Sequence, residues 1–176
     1  RTGLVQTIDI APTLLDYFGV EIPKDMTGKP LAAAVASDAP VHDYAVMGYF
    51  GSVLNITDGR YKLMRAARDT SLPIYEYTQM PTHMNRRFSV DEMRSMQMVE
   101  PFAFTKDTPL MRIKPDRVMY EGKLTEDLLF DLQQDPGEEH PIVNEAVSDR
   151  LTQALADMFR QLDAPAELYT RYGLTR

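Results

Sequence analysis

Apolar residues recur in a helical rhythm near the start of the chain, with Val5, Ile8, Leu15 and Phe18 flanked by Ile10 and Leu14 over residues 5–19. Pro12 has no N–H to give to a helix interior, so it belongs in the first turn, with Asp9 as N-cap and Gly19 as stop. The apolar positions surround more than one face, which predicts a helix packed against something large. An Ala-rich stretch, Leu31 to Ala36, predicts a second short helix. Ser37-Asp38-Ala39-Pro40 reads as a linker, which places a boundary between residues 1–40 and 41–176.

The period then changes to two. Ser52 to Thr57 and Arg60 to Arg65 flank Asp58-Gly59, a pair that tolerates the positive φ angles of a type I′ turn, so a hairpin is predicted with Thr57 opposite Arg60. Leu54, Ile56, Tyr61 and Leu63 then share one face, with Asn55, Thr57, Arg60 and Lys62 on the other. Tyr44 to Phe50 supplies a third strand and Leu128 to Leu132 a buried fourth. Tyr75 to Pro115 shows no clean period and reads as loop or broken strand. Within it, Ser89 and Glu92 have capping-box spacing, opening a short helix with Met93 and Met96 inward. The eleven Met residues read mostly as core filling. Val147, Leu151, Leu155, Met158 and Leu162 mark the strongest helix, capped by Asn144, and a last helix runs from Pro165 to Tyr172 with Gly173 as stop. The expected class is α+β: a four-stranded antiparallel sheet packed by the 144–162 helix, plus an N-terminal helix.

Composition narrows the chemistry. The 176 residues, 44% hydrophobic and 26% charged with a net charge of −7, suit one globular domain and carry no basic stripe for a phosphate backbone, so nucleic acid is not expected as a partner. The longest uncharged run, Tyr44 to Thr57, is too short for a membrane-spanning helix, which needs ~20 residues. The start, Arg-Thr-Gly-Leu-Val-Gln, has no initiator Met and no signal-peptide pattern, and reads as cut from something longer. Zero Cys excludes disulfides, thiolate metal sites and cysteine nucleophiles, and leaves the compartment open. His42, His83 and His140 form no local metal motif, and the dispersed Gly residues form no phosphate-cradling loop. The acid pairs Glu138-Glu139 and Asp127/Asp131 read as solvated faces. Asp9 reads as a cap and Asp58 as a turn residue. Tyr49, Phe50 and Phe104 could line an organic pocket, or serve as aromatic core.

Three blocks in order carry a family resemblance. Residues from Ile8-Asp9-Ile10-Ala11-Pro12-Thr13-Leu14-Leu15-Asp16 to Gly28-Lys29-Pro30-Leu31 resemble the segment that closes the large domain of sulfatases. Thr57-Asp58-Gly59-Arg60-Tyr61-Lys62-Leu63 is similar to the family's hairpin, and Leu129-Phe130-Asp131-Leu132-Gln133-Gln134-Asp135-Pro136-Gly137-Glu138 to its Leu-Tyr-Asp-Leu-x-x-Asp-Pro-x-Glu element. Glu76 to Met84 and Pro101 to Lys106 resemble a bacterial subgroup.

The resemblance implies the C-terminal portion of a sulfatase of the alkaline phosphatase superfamily, with residues 1–40 the tail of a large α/β domain and 41–176 a C-terminal subdomain. It implies a parent that hydrolyses small-molecule or glycan sulfate esters using formylglycine, made in a Cys/Ser-x-Pro-x-Arg motif, and a divalent cation, usually calcium. Both belong upstream of the matched blocks, so no catalytic or metal residue is carried over and the segment alone is expected to be inactive. Ser71-Leu72-Pro73-Ile74-Tyr75 imitates the motif with Tyr where Arg is required. The subdomain is expected to close one side of the active-site cleft, which makes His83, Arg86 and Arg87 candidates for contact with an anionic substrate. A solvated loop at 85–87 and a packing histidine at His83 are the alternative. The partners implied are the N-terminal sulfatase domain and, for the segment alone, a second molecule packed against residues 4–20. A phosphoester or phosphonate hydrolase of the superfamily, or a free-standing interaction module that covers residues 4–20 itself, are the rival readings.

Overall fold

A computed structural model describes residues 1–71, 73–116 and 124–176. A 3-10 turn, Thr7–Asp9, leads into α1 (Ile10–Tyr17), and α2 covers Ala32–Ser37. Then follow β1 (Ala45–Gly48), β2 (Leu54–Thr57), β3 (Tyr61–Arg65), β4 (Glu76–Thr78), α3 (Val90–Ser95), β5 (Gln97–Val99), β6 (Leu110–Ile113) and β7 (Leu128–Asp131). The chain ends in α4 (Glu145–Gln161) and α5 (Ala166–Tyr172). Two antiparallel sheets result, one in the order β1-β2-β3-β7 and the other β4-β6-β5.

The first sheet is the expected one. Its inward residues Ile56, Leu63 and Leu129 pack with the stripe Leu151, Leu155 and Phe159 of α4 and with Tyr169 and Tyr172 of α5, forming the core. Asn144 caps α4 by accepting the Val147 amide at 3.2 Å, and Gly173 ends α5 at φ +60°.

The hairpin differs in register. Asp58 Oδ1 accepts the amides of Arg60 at 2.9 Å and Tyr61 at 2.7 Å, which draws Asp58 out of the turn centre. Gly59 at φ +90° and Arg60 hold the centre instead, and Thr57 faces Lys62 rather than Arg60. Because the partner moves by two residues, an even number, Leu54, Ile56, Tyr61 and Leu63 keep their common face.

Asp9 also departs from expectation. It occupies the N-cap position of α1, yet its carboxylate caps no helix amide. It points back and across, accepting the Gln6 amide at 2.8 Å and the Lys29 amide at 2.9 Å and meeting His42 Nε2 at 2.9 Å. Burial alone would raise this carboxyl, but the Lys29 and Gln6 amides and His42 together hold it below its ordinary value. Gly28 passes so close to the Ile8 carbonyl that a Cβ there would overlap it. This knot ties residues 6–9, 28–29 and 42 together.

The second sheet was not predicted, because its strands of three or four residues are too short to display a period. In α3 the inward side chain is Glu92, fully buried, whereas Met93 is 53% exposed. Met26, Met47, Met80, Met84, Met93 and Met98 are all exposed, so most methionines are surface residues rather than core filling. Of the paired acids only Glu139 is exposed as expected: Asp131 is buried against Arg60, Asp127 bridges Arg65 and Arg68, and Glu138 takes Lys62.

Candidate functional site: an aromatic cleft beside a buried carboxylate

Glu92 is placed by its own capping box. Ser89 at the helix start accepts the Glu92 amide at 3.2 Å and returns its own amide to the Glu92 carboxylate at 2.7 Å. The same carboxylate accepts the Asp116 amide at 3.2 Å, two hydrogen bonds from Arg86 at 3.0 and 3.1 Å, and faces His83 Nε2 at 2.9 Å. Arg86, with the Ser89 and Asp116 amides and His83 in support, holds the Glu92 carboxyl far below its ordinary value against the effect of burial.

This hub decides what the three expected contact residues can do. His83 lies between Glu92 and Glu76, with Nδ1 at 3.2 Å from the Glu76 carboxylate, and its ring edge meets Phe88. Arg86 is committed to Glu92 and Asp116. Arg87 is exposed, and its guanidinium makes no hydrogen bond or ion pair with a described residue.

A cleft of about 810 Å³ opens over β4, lined by Tyr75, Tyr77, Phe88, Phe102 and Phe104 with Glu76 and His83. Phe102 stacks on Phe104 at 5.5 Å and meets Tyr77 edge-on at 5.0 Å. The Tyr77 hydroxyl donates to Glu167 of α5 at 2.5 Å, and burial together with that carboxylate pushes the phenol up. A second hollow of about 370 Å³ shares Phe50, Tyr75 and Tyr77 and adds Tyr49. Of the residues named from sequence, His83, Phe50 and Phe104 therefore line the larger cleft, Tyr49 lines the smaller, and Arg86 and Arg87 line neither. Glu92, Glu76 and Tyr77 were missed. The Ser89/Glu92 spacing marked the helix start, but nothing in it announced that the carboxylate would be buried among cations.

Among the described residues no three His, Asp or Glu side chains gather as a metal site. Ser71 donates its hydroxyl and amide to Asp69, and Leu72 of the same imitation motif lies outside the described residues. Among the described residues no helix is long and apolar enough to cross a membrane.

The first antiparallel sheet is backed by the long helix α4, and the second, three-stranded sheet lies beside the cleft. The family described as N-sulphoglucosamine sulphohydrolase, C-terminal, matches residues 1–101, more than half of the chain, and the chain belongs to that family. It is similar in structure to a Bacteroides thetaiotaomicron protein, BT33494S-sulf, described with the metabolism of multiple glycosaminoglycans: the TM-score is 0.51 at 16% identity, covering 95% of this chain and 28% of that one. It is also similar to BT4656, described in complex with its substrate D-glucosamine-2-N,6-O-disulfate, with a TM-score of 0.49 at 17% identity over 90% of this chain and 24% of that one. The chain thus spans about a quarter of the length of these structures. A comparison with curated proteins gives no match.

Proposed function

We propose that these residues form the cleft-closing part of a sulfatase whose full-length polypeptide hydrolyses sulfate esters, and that they do not catalyse the reaction alone. The family match over residues 1–101 carries this reading. The sequence supports the second half of it: with no Cys, and with Tyr75 where the formylglycine motif needs Arg, the chain carries no formylglycine motif. In this reading the formylglycine and a calcium ion belong to a preceding domain, and no step runs through a metal held by these residues.

The N-terminal helix supports a larger domain docked on it, while the Asp9–His42 contact joins residues 1–40 to the rest of the chain. Ile10, Leu14, Tyr17, Phe18 and Val20 are all more than half exposed, an apolar face suited to a larger domain. A free-standing interaction module would have covered it. Without that domain, the same face would draw a second copy or another neighbour. In the assembled enzyme the cleft over β4 bounds the substrate pocket. His83 faces it between two carboxylates, and Arg87, which lines neither hollow but has no described partner for its guanidinium, is the freer of the two arginines to meet a sulfate group.

Assay of the full-length polypeptide with p-nitrophenyl sulfate, phosphate and phenylphosphonate tests the reaction class. Turnover of the sulfate above the others is expected. Turnover of phosphate or phosphonate alone would transfer the reading to another hydrolase of the superfamily.

A further inference from the structure

A chain of ionisable side chains runs from the interior to the wall of the larger cleft. Glu92, fully buried on α3, meets Nε2 of His83 at 2.9 Å, and Nδ1 of the same ring lies at ion-pair distance, 3.2 Å, from the Glu76 carboxylate on β4. Glu76 and His83 both line the cleft. Each ring nitrogen therefore faces a carboxylate oxygen. A neutral imidazole has one N–H and an ionised carboxylate has none, so attraction at both ends needs one proton more than a neutral ring between two carboxylates carries. That holds whether the extra proton sits on Nδ1 or on Glu76. The two ends are anchored unequally. Glu92 also accepts from Arg86 and from the Ser89 and Asp116 amides, whereas among the described residues the Glu76 carboxylate has no polar contact besides His83. Arg86 and Asp116, the other charged groups of this network, are committed to each other and Arg86 to Glu92. Arg112 pairs with Tyr77 on the opposite face of the sheet from Glu76, with its guanidinium over Tyr75.

We propose that His83 is a proton-operated latch: one proton held between Glu92 and Glu76 fastens β4 to α3 at the cleft wall, and its departure releases Glu76 into the cleft. With the proton in place, the chain is attractive at both ends. When the proton leaves to solvent, the remaining N–H stays with Glu92, the shorter and better anchored contact, and the bare Nδ1 turns a lone pair towards Glu76. Glu76 then has no donor and swings away, and the cleft becomes more negative. An anionic ligand is therefore admitted more readily with the latch closed. If the sulfatase reading holds, ester binding strengthens as pH falls; that consequence rests on the reading, whereas the latch does not.

NMR of the intact protein with 15N-labelled histidine, combined with amide hydrogen exchange over the same pH series, tests the latch. His42→Gln, His83→Gln and His140→Gln assign the three histidine signals. At the acid end both ring nitrogens of His83 should be in polar contact with a proton between each and its carboxylate. As pH rises, the proton on the Glu76 side should be lost while Nε2 keeps its own. Over the same interval the amides of β4 should lose several-fold of their protection after correction for the intrinsic rate. Glu76→Gln, at a side chain 31% exposed, should leave β4 protection independent of the His83 transition, with melting temperature as the control for folding. Loss of the Nε2 proton first, a ring whose protonation never changes, or β4 protection that follows the same pH course in Glu76→Gln overturns the inference. Both readouts are made without substrate, so their failure leaves the proposed activity standing, and absence of sulfate-ester hydrolysis leaves the latch standing.

Discussion

Buried carboxylates organise this chain at the scale of single residues, and each is stabilised by several donors from different segments. Glu92 is fully buried yet ionised, because Arg86, two amides and His83 replace the water it lost. Its folded carboxyl lies far below the ordinary glutamate value near 4.5. The stabilisation is therefore complete above that value, where the unfolded chain is also ionised, and is lost progressively as pH falls below it. Urea midpoints measured between neutral pH and pH 3 should decline through this window, and Glu92→Gln should flatten the decline while lowering stability at pH 7. Gly28 has a steric role instead. Gly28→Ala would push a Cβ into the Ile8 carbonyl and open the Asp9 knot, an overpacking cost of about 1–3 kcal/mol readable by chemical denaturation. The sequence shows an Asp beside a helix and a Glu in a capping box. It does not show which amides and side chains, from six to thirty-three positions away, will turn towards them.

At the scale of elements, what could be read depended on length and period. The seventeen residues of α4 repeat their apolar stripe often enough to fix its inner face, and β2 and β3 alternate long enough to fix theirs. The even two-residue slip in the hairpin left that face intact, which is why the core came out as expected although the turn did not. Strands β4 and β5, three residues each, have no such redundancy, and the cleft over β4 was invisible from periodicity. Leu155 lies at the centre of the readable part, fully buried against the first sheet. Leu155→Ala should cost about 2–5 kcal/mol and lower the thermal midpoint, measured by circular dichroism at 222 nm.

For the whole molecule, the asymmetry between its two ends sets its behaviour. The C-terminal helices close a core, whereas α1 turns Leu14, Tyr17 and Phe18 outward. Isolated, the 176 residues should associate as concentration rises, and Leu14→Lys with Phe18→Lys should suppress this in sedimentation velocity without loss of helicity. In the proposed enzyme the same face meets the domain that holds the nucleophile, so shaping the substrate cleft and carrying out the chemistry fall to different parts of one polypeptide. Release of p-nitrophenol from p-nitrophenyl sulfate, measured side by side for the full-length polypeptide and for these 176 residues with added calcium, tests that division most directly. Turnover by the full-length polypeptide and none by the isolated chain is the expected result; turnover that scales with the concentration of the isolated chain would contradict it.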